Sequence, residues 1–131
     1  MKLSARYTHK NLLDAEDAAP KFGLDEWQES RFVTSDLDAT ETGVTHHRIK
    51  AGKRQGFAHR HERAEELYVV LSGSGRVKLD EDVIDLAPRD ALRIAPDVFR
   101  SWEAGPDGLE LLAFGARQEN DAEVVQDWWT D

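Results

Sequence analysis

The chain has 131 residues, no cysteine and a formal charge of −9. This length suits a single domain, and the lack of cysteine excludes a disulfide framework and thiolate metal sites. The negative charge disfavours a phosphate backbone, so we expect no nucleic-acid partner. No apolar run approaches the roughly 20 residues of a membrane span, so we expect a soluble, cytoplasmic protein with no membrane partner.

The first stretch of the chain, residues 1–24, predicts an N-terminal arm. Asn11 is followed three residues later by Asp14, a spacing that resembles a helix capping box. Pro20 and Gly23 would end any helix within a few turns. We therefore expect the arm to be a short helix or irregular.

From about residue 26 the sequence reads as short strands separated by turn residues. The candidate strands are 27–34, 43–51, 65–72, 75–80, 82–87, 91–95, 98–104 and 108–114. Turns are expected at 72–75, 80–82, 87–90, 95–97 and 104–108. Segments 75–80 and 82–87 alternate apolar and polar residues, so they should form a hairpin. This spacing is typical of an all-β sandwich or barrel, which we place at residues 25–116.

The last segment, residues 117–131, predicts a C-terminal tail with a brief helix. Trp128 and Trp129 lie side by side in it. Each offers roughly 150–250 Å² of surface to bury. We expect both to dock on the barrel or on a second subunit.

The pair His59 and His61 stands out because the chain has only five histidines. Residues i and i+2 of a strand face the same side, so the two imidazoles point together. In the next strand Glu66, Tyr68 and Val70 share one face. If that face meets the histidines, two imidazoles and a carboxylate converge. Such a set binds divalent iron, manganese, nickel or zinc and leaves coordination positions open.

The stretch HRHERAEELYVVLSG resembles the first motif of the cupins. In that motif H-x-H is followed by three or four residues, a glutamate, six residues and a glycine, which His59, His61, Glu66 and Gly73 fit. The resemblance implies an all-β, antiparallel double-stranded β-helix, the jelly-roll barrel of the cupins. It also implies that the two histidines and Glu66 are metal ligands. Oxygenase or isomerase chemistry would follow if the protein is an enzyme, which the sequence leaves open.

The second cupin motif is degenerate. Aligning Asp90 with the aspartate after the first glycine of that motif places Arg100 where the fourth ligand, a histidine, is expected. Arginine stays protonated and cannot ligate a cation. In one arrangement a metal is retained, and Arg100 clamps a carboxylate or phosphate of an anionic small molecule. In the other, Arg100 and Glu66 form a buried ion pair, the metal is lost, and the protein is a non-catalytic binding or sensory module.

Two further residues are candidates for contacting a substrate beside Arg100. His47 shares a face with Ile49, so it should face the interior, where it would contact the substrate or add a fourth imidazole. Tyr68 would line the cavity beside Glu66. The cluster of basic residues in 48–63 is either a solvated rim or a positive mouth that attracts anions.

Strand 65–72 is apolar on both faces, which implies cover on both sides. Since cupins commonly pair, the resemblance also implies a homodimer.

Overall fold

The fold is all-β. The computed structural model describes residues 6–116 and 121–131; the rest of the expected arm and tail lies outside these ranges. The strands are β1 (Gln28–Phe32), β2 (Thr42–Ile49), β3 (Phe57–His61), β4 (Glu66–Leu79), β5 (Asp82–Leu86), β6 (Ala91–Ile94), β7 (Arg100–Ala116) and β8 (Ala122–Gln126). Two 3-10 turns, Leu12–Asp14 and Ala19–Phe22, precede β1, and a short helix, α1 (Val33–Asp36), follows it. None of the described helices is long and apolar enough to cross a membrane.

The strands form one curled antiparallel sheet, which confirms the predicted all-β barrel. Its main path runs β1-β2-β7-β3-β8, and β4 pairs with β5, β6 and β7. The two long strands, β4 and β7, pair along almost their whole length. The predicted hairpin between 75–80 and 82–87 is confirmed as the β4–β5 pair.

The turns predicted at 72–75 and 104–108 are wrong. Both segments lie inside continuous strands, and the β4–β7 register shifts beside Gly73 instead of reversing. Gly73 and Gly108 both have a φ of 80°, and a Cβ on Gly73 would lie 2.0 Å from the Gly108 carbonyl oxygen. These glycines therefore permit bulges and a close approach of two backbones, which is an alternative use of the same residue types.

The sheet register decides which side chains face the interior. His47 and Ile49 of β2 lie opposite Leu111 and Leu109 of β7. Ile49, Leu111 and Leu109 are buried in the core of the barrel. His47 therefore faces the interior, as predicted, and His46 faces the other way.

The brief helix predicted in the tail is wrong, because that segment forms β8, which pairs with β3. Its β-branched residues suit a strand, and the pairing covers an edge that β3 would otherwise expose. The two tryptophans dock on the barrel. Trp128 packs on Phe99 with ring centroids 4.8 Å apart, and Trp129 Nε1 donates to Ser101 Oγ at 2.8 Å.

Candidate metal centre

The two histidines and the glutamate meet inside the barrel. His59 and His61 end β3, and Glu66 begins β4 after a short connection. One ligand atom from each of the three lies within 4.8 Å of the others. His61 Nε2 is 3.1 Å from Glu66 Oε1, and His59 Nε2 is 3.8 Å from the same oxygen. This group of two imidazoles and one carboxylate can hold a divalent metal ion.

The protonation states of these side chains suit a metal ligand set. Burial lowers the pKa of His59, against the opposing effect of the Glu66 charge. Burial alone would raise the pKa of Glu66, but the imidazoles of His59 and His61 and the hydroxyl of Tyr68 outweigh it, so this pKa lies well below its ordinary value. Near neutral pH the site therefore offers a neutral His59 and an ionised Glu66, the forms that bind metal.

Two nitrogen atoms of His61 also point to a missing partner. Nε2 lies 3.1 Å from Glu66 Oε1 and Nδ1 lies 3.4 Å from Asp121 Oδ2, but both nitrogens are buried and neither contact has the geometry of a hydrogen bond. Buried polar atoms are seldom left without a partner, because the lost hydration is costly. Coordination of an ion by one of these nitrogens would supply a partner, so the donor set fits a metal.

Arg100 lies at this site and is fully buried. It is the register partner of His59 across β3 and β7, as expected from the position of the missing histidine. Its Nη1 donates to Glu66 Oε1 at 2.7 Å. Its Nη2 and Nε donate to three backbone carbonyls, those of Ala95, Pro96 and Val98.

These bonds bear on the two arrangements that the sequence left open. The ion pair between Arg100 and Glu66 is present. The guanidinium has no solvent-exposed surface and is held by the protein itself. The geometry thus favours the ion pair over a clamp in which Arg100 contacts an anionic ligand.

Tyr68 also interacts with the Glu66 carboxylate. Its hydroxyl donates to Glu66 Oε1 at 2.8 Å, and the residue is 2% exposed. Burial and the nearby Glu66 charge raise the pKa of Tyr68 well above its ordinary value. Tyr68 therefore stays protonated and, together with Arg100, orients one oxygen of Glu66.

Asp121 is a residue of the site that the sequence did not reveal. Its Oδ1 accepts the backbone N–H groups of Glu62 and Arg63, and its Oδ2 accepts that of Ala64. Its Oδ2 also lies 3.4 Å from His61 Nδ1. A residue of the tail thus fixes the connection between the two strands that carry the ligand set.

Half of the six basic residues in 48–63 are paired with glutamates, which favours a solvated rim over a positive mouth. Arg48, Arg54 and Arg60 each pair with a glutamate from a distant part of the chain. A cavity of about 440 Å³ beside His61 is bordered mainly by acids, namely Glu62, Asp97, Asp121 and Glu123, with Arg60. Any attraction for an anion must therefore come from the site and not from its rim.

The metal-free protein should lose stability as the pH falls from about 6.5 to about 4. Burial lowers the pKa of His47 from 6.5 to about 4, with a further contribution from His59. In this window the unfolded chain binds a proton that the folded protein excludes, so stability is complete above pH 6.5 and declines below it. The loss of unfolding free energy from His47 is about 3 kcal/mol.

Urea unfolding from pH 7.5 to 4 measures this loss. His47→Gln should flatten the dependence, and equal slopes for the two proteins would contradict this assignment.

Comparison with solved structures finds proteins of similar fold. No curated protein sequence matches the chain. A cupin protein from Bacteroides fragilis is similar in structure, with 25% identity, a TM-score of 0.69 and coverage of 89% of each chain. The polyketide cyclase RemF from Streptomyces resistomycificus has 15% identity and a TM-score of 0.74, over 95% of this chain and 87% of that one. A putative sugar phosphate isomerase from Acidithiobacillus ferrooxidans has 24% identity and a TM-score of 0.64, over 73% and 64%.

The two structures below 25% identity show the fold alone. The sequence itself carries the family assignment. The model of the cupin domain family matches residues 45–113, more than half of the chain, and this range includes His59, His61, Glu66 and Arg100. The chain belongs to the cupin family.

Proposed function

We propose that this cupin binds a divalent metal ion through His59, His61 and Glu66 and takes a small molecule at the open coordination positions. The observation that carries the proposal is the convergence of these three donors within 4.8 Å. The metal is one of iron, manganese, nickel and zinc, all of which accept this donor set. When bound, such an ion supplies Lewis-acid polarisation or, if it is iron, dioxygen activation.

An anionic small molecule is the ligand class that we propose. The charges of Glu66 and Arg100 cancel in their ion pair. A divalent ion would therefore keep its whole charge inside the barrel, where a low dielectric strengthens its attraction for an anion. This attraction replaces the direct contact with Arg100 expected from the sequence.

The reaction class is open between isomerase and oxygenase chemistry. Structural neighbours are named as a putative sugar phosphate isomerase, a polyketide cyclase and an oxalate decarboxylase. One fold thus carries several chemistries, and the neighbours do not select one for this chain.

A second candidate function is a metal-free binding or sensory barrel. The 2.7 Å contact between Arg100 Nη1 and Glu66 Oε1 favours it, because the carboxylate already has a cationic partner. In this case His59 and His61 would bind the ligand by hydrogen bonds alone.

Thermal unfolding with added metal separates the two functions. We expect Zn²⁺ or Mn²⁺ to raise the melting temperature of the wild type, since a ligand at about 100 times its dissociation constant adds about 2.7 kcal/mol of stability. EDTA should reverse the rise. Glu66→Gln should abolish it, whereas Glu65→Gln, a matched change at an exposed neighbour, should not. A melting temperature insensitive to metal and chelator would favour the metal-free barrel.

We also propose that the protein forms a homodimer through the outer face of β4. Leu67 and Leu71 on that face are 48% and 40% exposed in the single chain. A second copy would remove this apolar surface from water. Light scattering during size exclusion should give twice the chain mass for the wild type and a monomer for Leu67→Asp. A monomeric wild type would contradict the proposal.

A further inference from the structure

We propose that His47 is a fixed, neutral hydrogen-bond donor whose Nε2–H group binds an oxygen acceptor of the small molecule taken by the site. The inference rests on the proposed function for the location of that molecule. It adds a contact that distinguishes His47 from the metal ligands, because a protonated Nε2 has no lone pair for a metal ion.

His47 faces the same barrel interior as the candidate metal centre. Its side chain faces the interior between Ser30 of β1 and Leu111 of β7, its register partners on either side. On its other edge Leu111 pairs with Val70 of β4, and Val70 shares the interior face of that strand with Glu66. Like His59 and His61, the residue is not fully buried.

A buried chain of hydrogen bonds leads to His47, and a backbone amide sets its direction. The N–H of Trp102 can only donate, and Gln55 Oε1 accepts it at 3.1 Å. This fixes the side-chain amide of Gln55, so that its Nε2 donates to Gln28 Oε1 at 2.6 Å. The amide of Gln28 is fixed in turn, and its Nε2 donates to Ser30 Oγ at 2.8 Å.

The last bond determines which nitrogen of His47 carries the proton. Ser30 Oγ accepts from Gln28 and has one proton of its own to donate. Among the described residues, the acceptor within reach is His47 Nδ1, at 2.9 Å. Nδ1 is therefore the acceptor, and in the neutral imidazole the proton lies on Nε2.

Burial protects this arrangement from water. Ser30, Gln28 and Gln55 are 1%, 2% and 4% exposed, so water does not compete for their hydrogen bonds. Reversing the last bond would leave the Ser30 hydroxyl proton without an acceptor, which is costly in a buried site. Three buried polar residues thus stabilise one tautomer of His47.

The tautomer defines the chemistry of the ligand. An N–H group binds a carboxylate, carbonyl or hydroxyl oxygen and does not bind an ammonium group. Together with the anionic group proposed for the metal ion, an oxygen acceptor for His47 describes a molecule with two separate oxygen groups. Small hydroxy acids and oxo acids have this composition.

NMR of protein with ¹⁵N-labelled histidine tests the tautomer directly. Long-range ¹H–¹⁵N correlations show which ring nitrogen of each histidine bears a proton. We expect His47 to have an unprotonated Nδ1 and a protonated Nε2, both unchanged when Zn²⁺ is added. A proton on Nδ1, or displacement of the Nε2 proton by zinc, would overturn the proposal.

Two variants test the origin of the tautomer. Ser30→Ala removes the donor to Nδ1 and should give His47 a mixture of tautomers, whereas Ser30→Thr keeps a hydroxyl and should preserve the wild-type pattern. An unaltered tautomer in Ser30→Ala would show that the hydrogen-bond chain does not set it.

Glycolate, a small hydroxy acid, tests the ligand contact in the zinc-loaded protein. We expect the His47 Nε2–H signal to shift together with the signals of His59 and His61. A shift confined to His59 and His61 would overturn the contact, and no shift at any of the three would overturn the ligand class. The proposed metal function fails separately, if zinc itself leaves the signals of His59 and His61 unchanged.

Discussion

Replacing Arg100 with methionine should lower the free energy of unfolding of the metal-free protein by about 3 kcal/mol or more. Removing one member of a buried ion pair typically costs about 3–5 kcal/mol, because the remaining charge keeps its desolvation penalty. The lower figure applies here because the Glu66 side chain retains 18% exposure. Three backbone carbonyls that accept from the guanidinium would also lose a donor.

A matched control is Arg60→Met, which makes the same chemical change at an exposed ion pair. Arg60 and Glu123 keep 40% and 54% of their side-chain exposure. Exposed pairs contribute about 0–1 kcal/mol, so this variant should unfold nearly as the wild type does. Urea unfolding at pH 7 compares the two variants. Equal losses would mean that Arg100 does not hold the buried site together.

Arg100→His should raise metal affinity by about 10- to 100-fold, the range seen when the surroundings of a metal site are changed. The change removes a cation that is hydrogen-bonded to Glu66 and places an imidazole opposite His59. It also removes the donors to three carbonyls, so the metal-free variant should be less stable than the wild type. Competition with a coloured zinc chelator measures the affinity.

Arg100→Gln separates the two causes of that increase. It removes the positive charge without supplying an imidazole, so we expect a smaller gain in affinity than in Arg100→His. If Arg100→His binds metal no more tightly than the wild type, residue 100 does not act on the site as its position implies.

The sequence predicted the convergence of the three candidate ligands because they are close together in the chain. His59, His61 and Glu66 lie within a single strand connection, so the period of a strand and one short turn bring them together. Arg100 was placed by aligning the degenerate second motif with its neighbours, and in the structure it lies opposite His59.

The sequence could not reveal contacts between distant segments. Asp121 reaches the connection after His61 only because β8 pairs with β3. The glycines at 73 and 108 mark a close approach of two backbones, but the residue types alone favour a turn in the same way. The partner of a charged side chain is equally non-local, which is why the basic run at 48–63 could be interpreted from sequence either as a solvated rim or as a positive mouth.

The hydrogen bonds of Arg100 are a second set of contacts that the sequence could not reveal. The motif alignment indicated the position of Arg100. Its burial and its three carbonyl acceptors depend on how residues 95–98 fold over it. Hydrogen bonds to those acceptors hold the guanidinium inside the protein. The anionic ligand class that we propose therefore rests on the charge balance of the site and not on a contact with Arg100.

Elemental analysis by plasma mass spectrometry tests the metal site most directly. The sample is tag-free protein purified without chelator, beside His61→Ala purified in the same way. We predict about one equivalent of iron, manganese, nickel or zinc per chain in the wild type and its loss in the variant. A wild type without metal, even after incubation with each of these ions, would contradict the proposed metal site. It would favour a metal-free barrel that contains the Arg100–Glu66 ion pair.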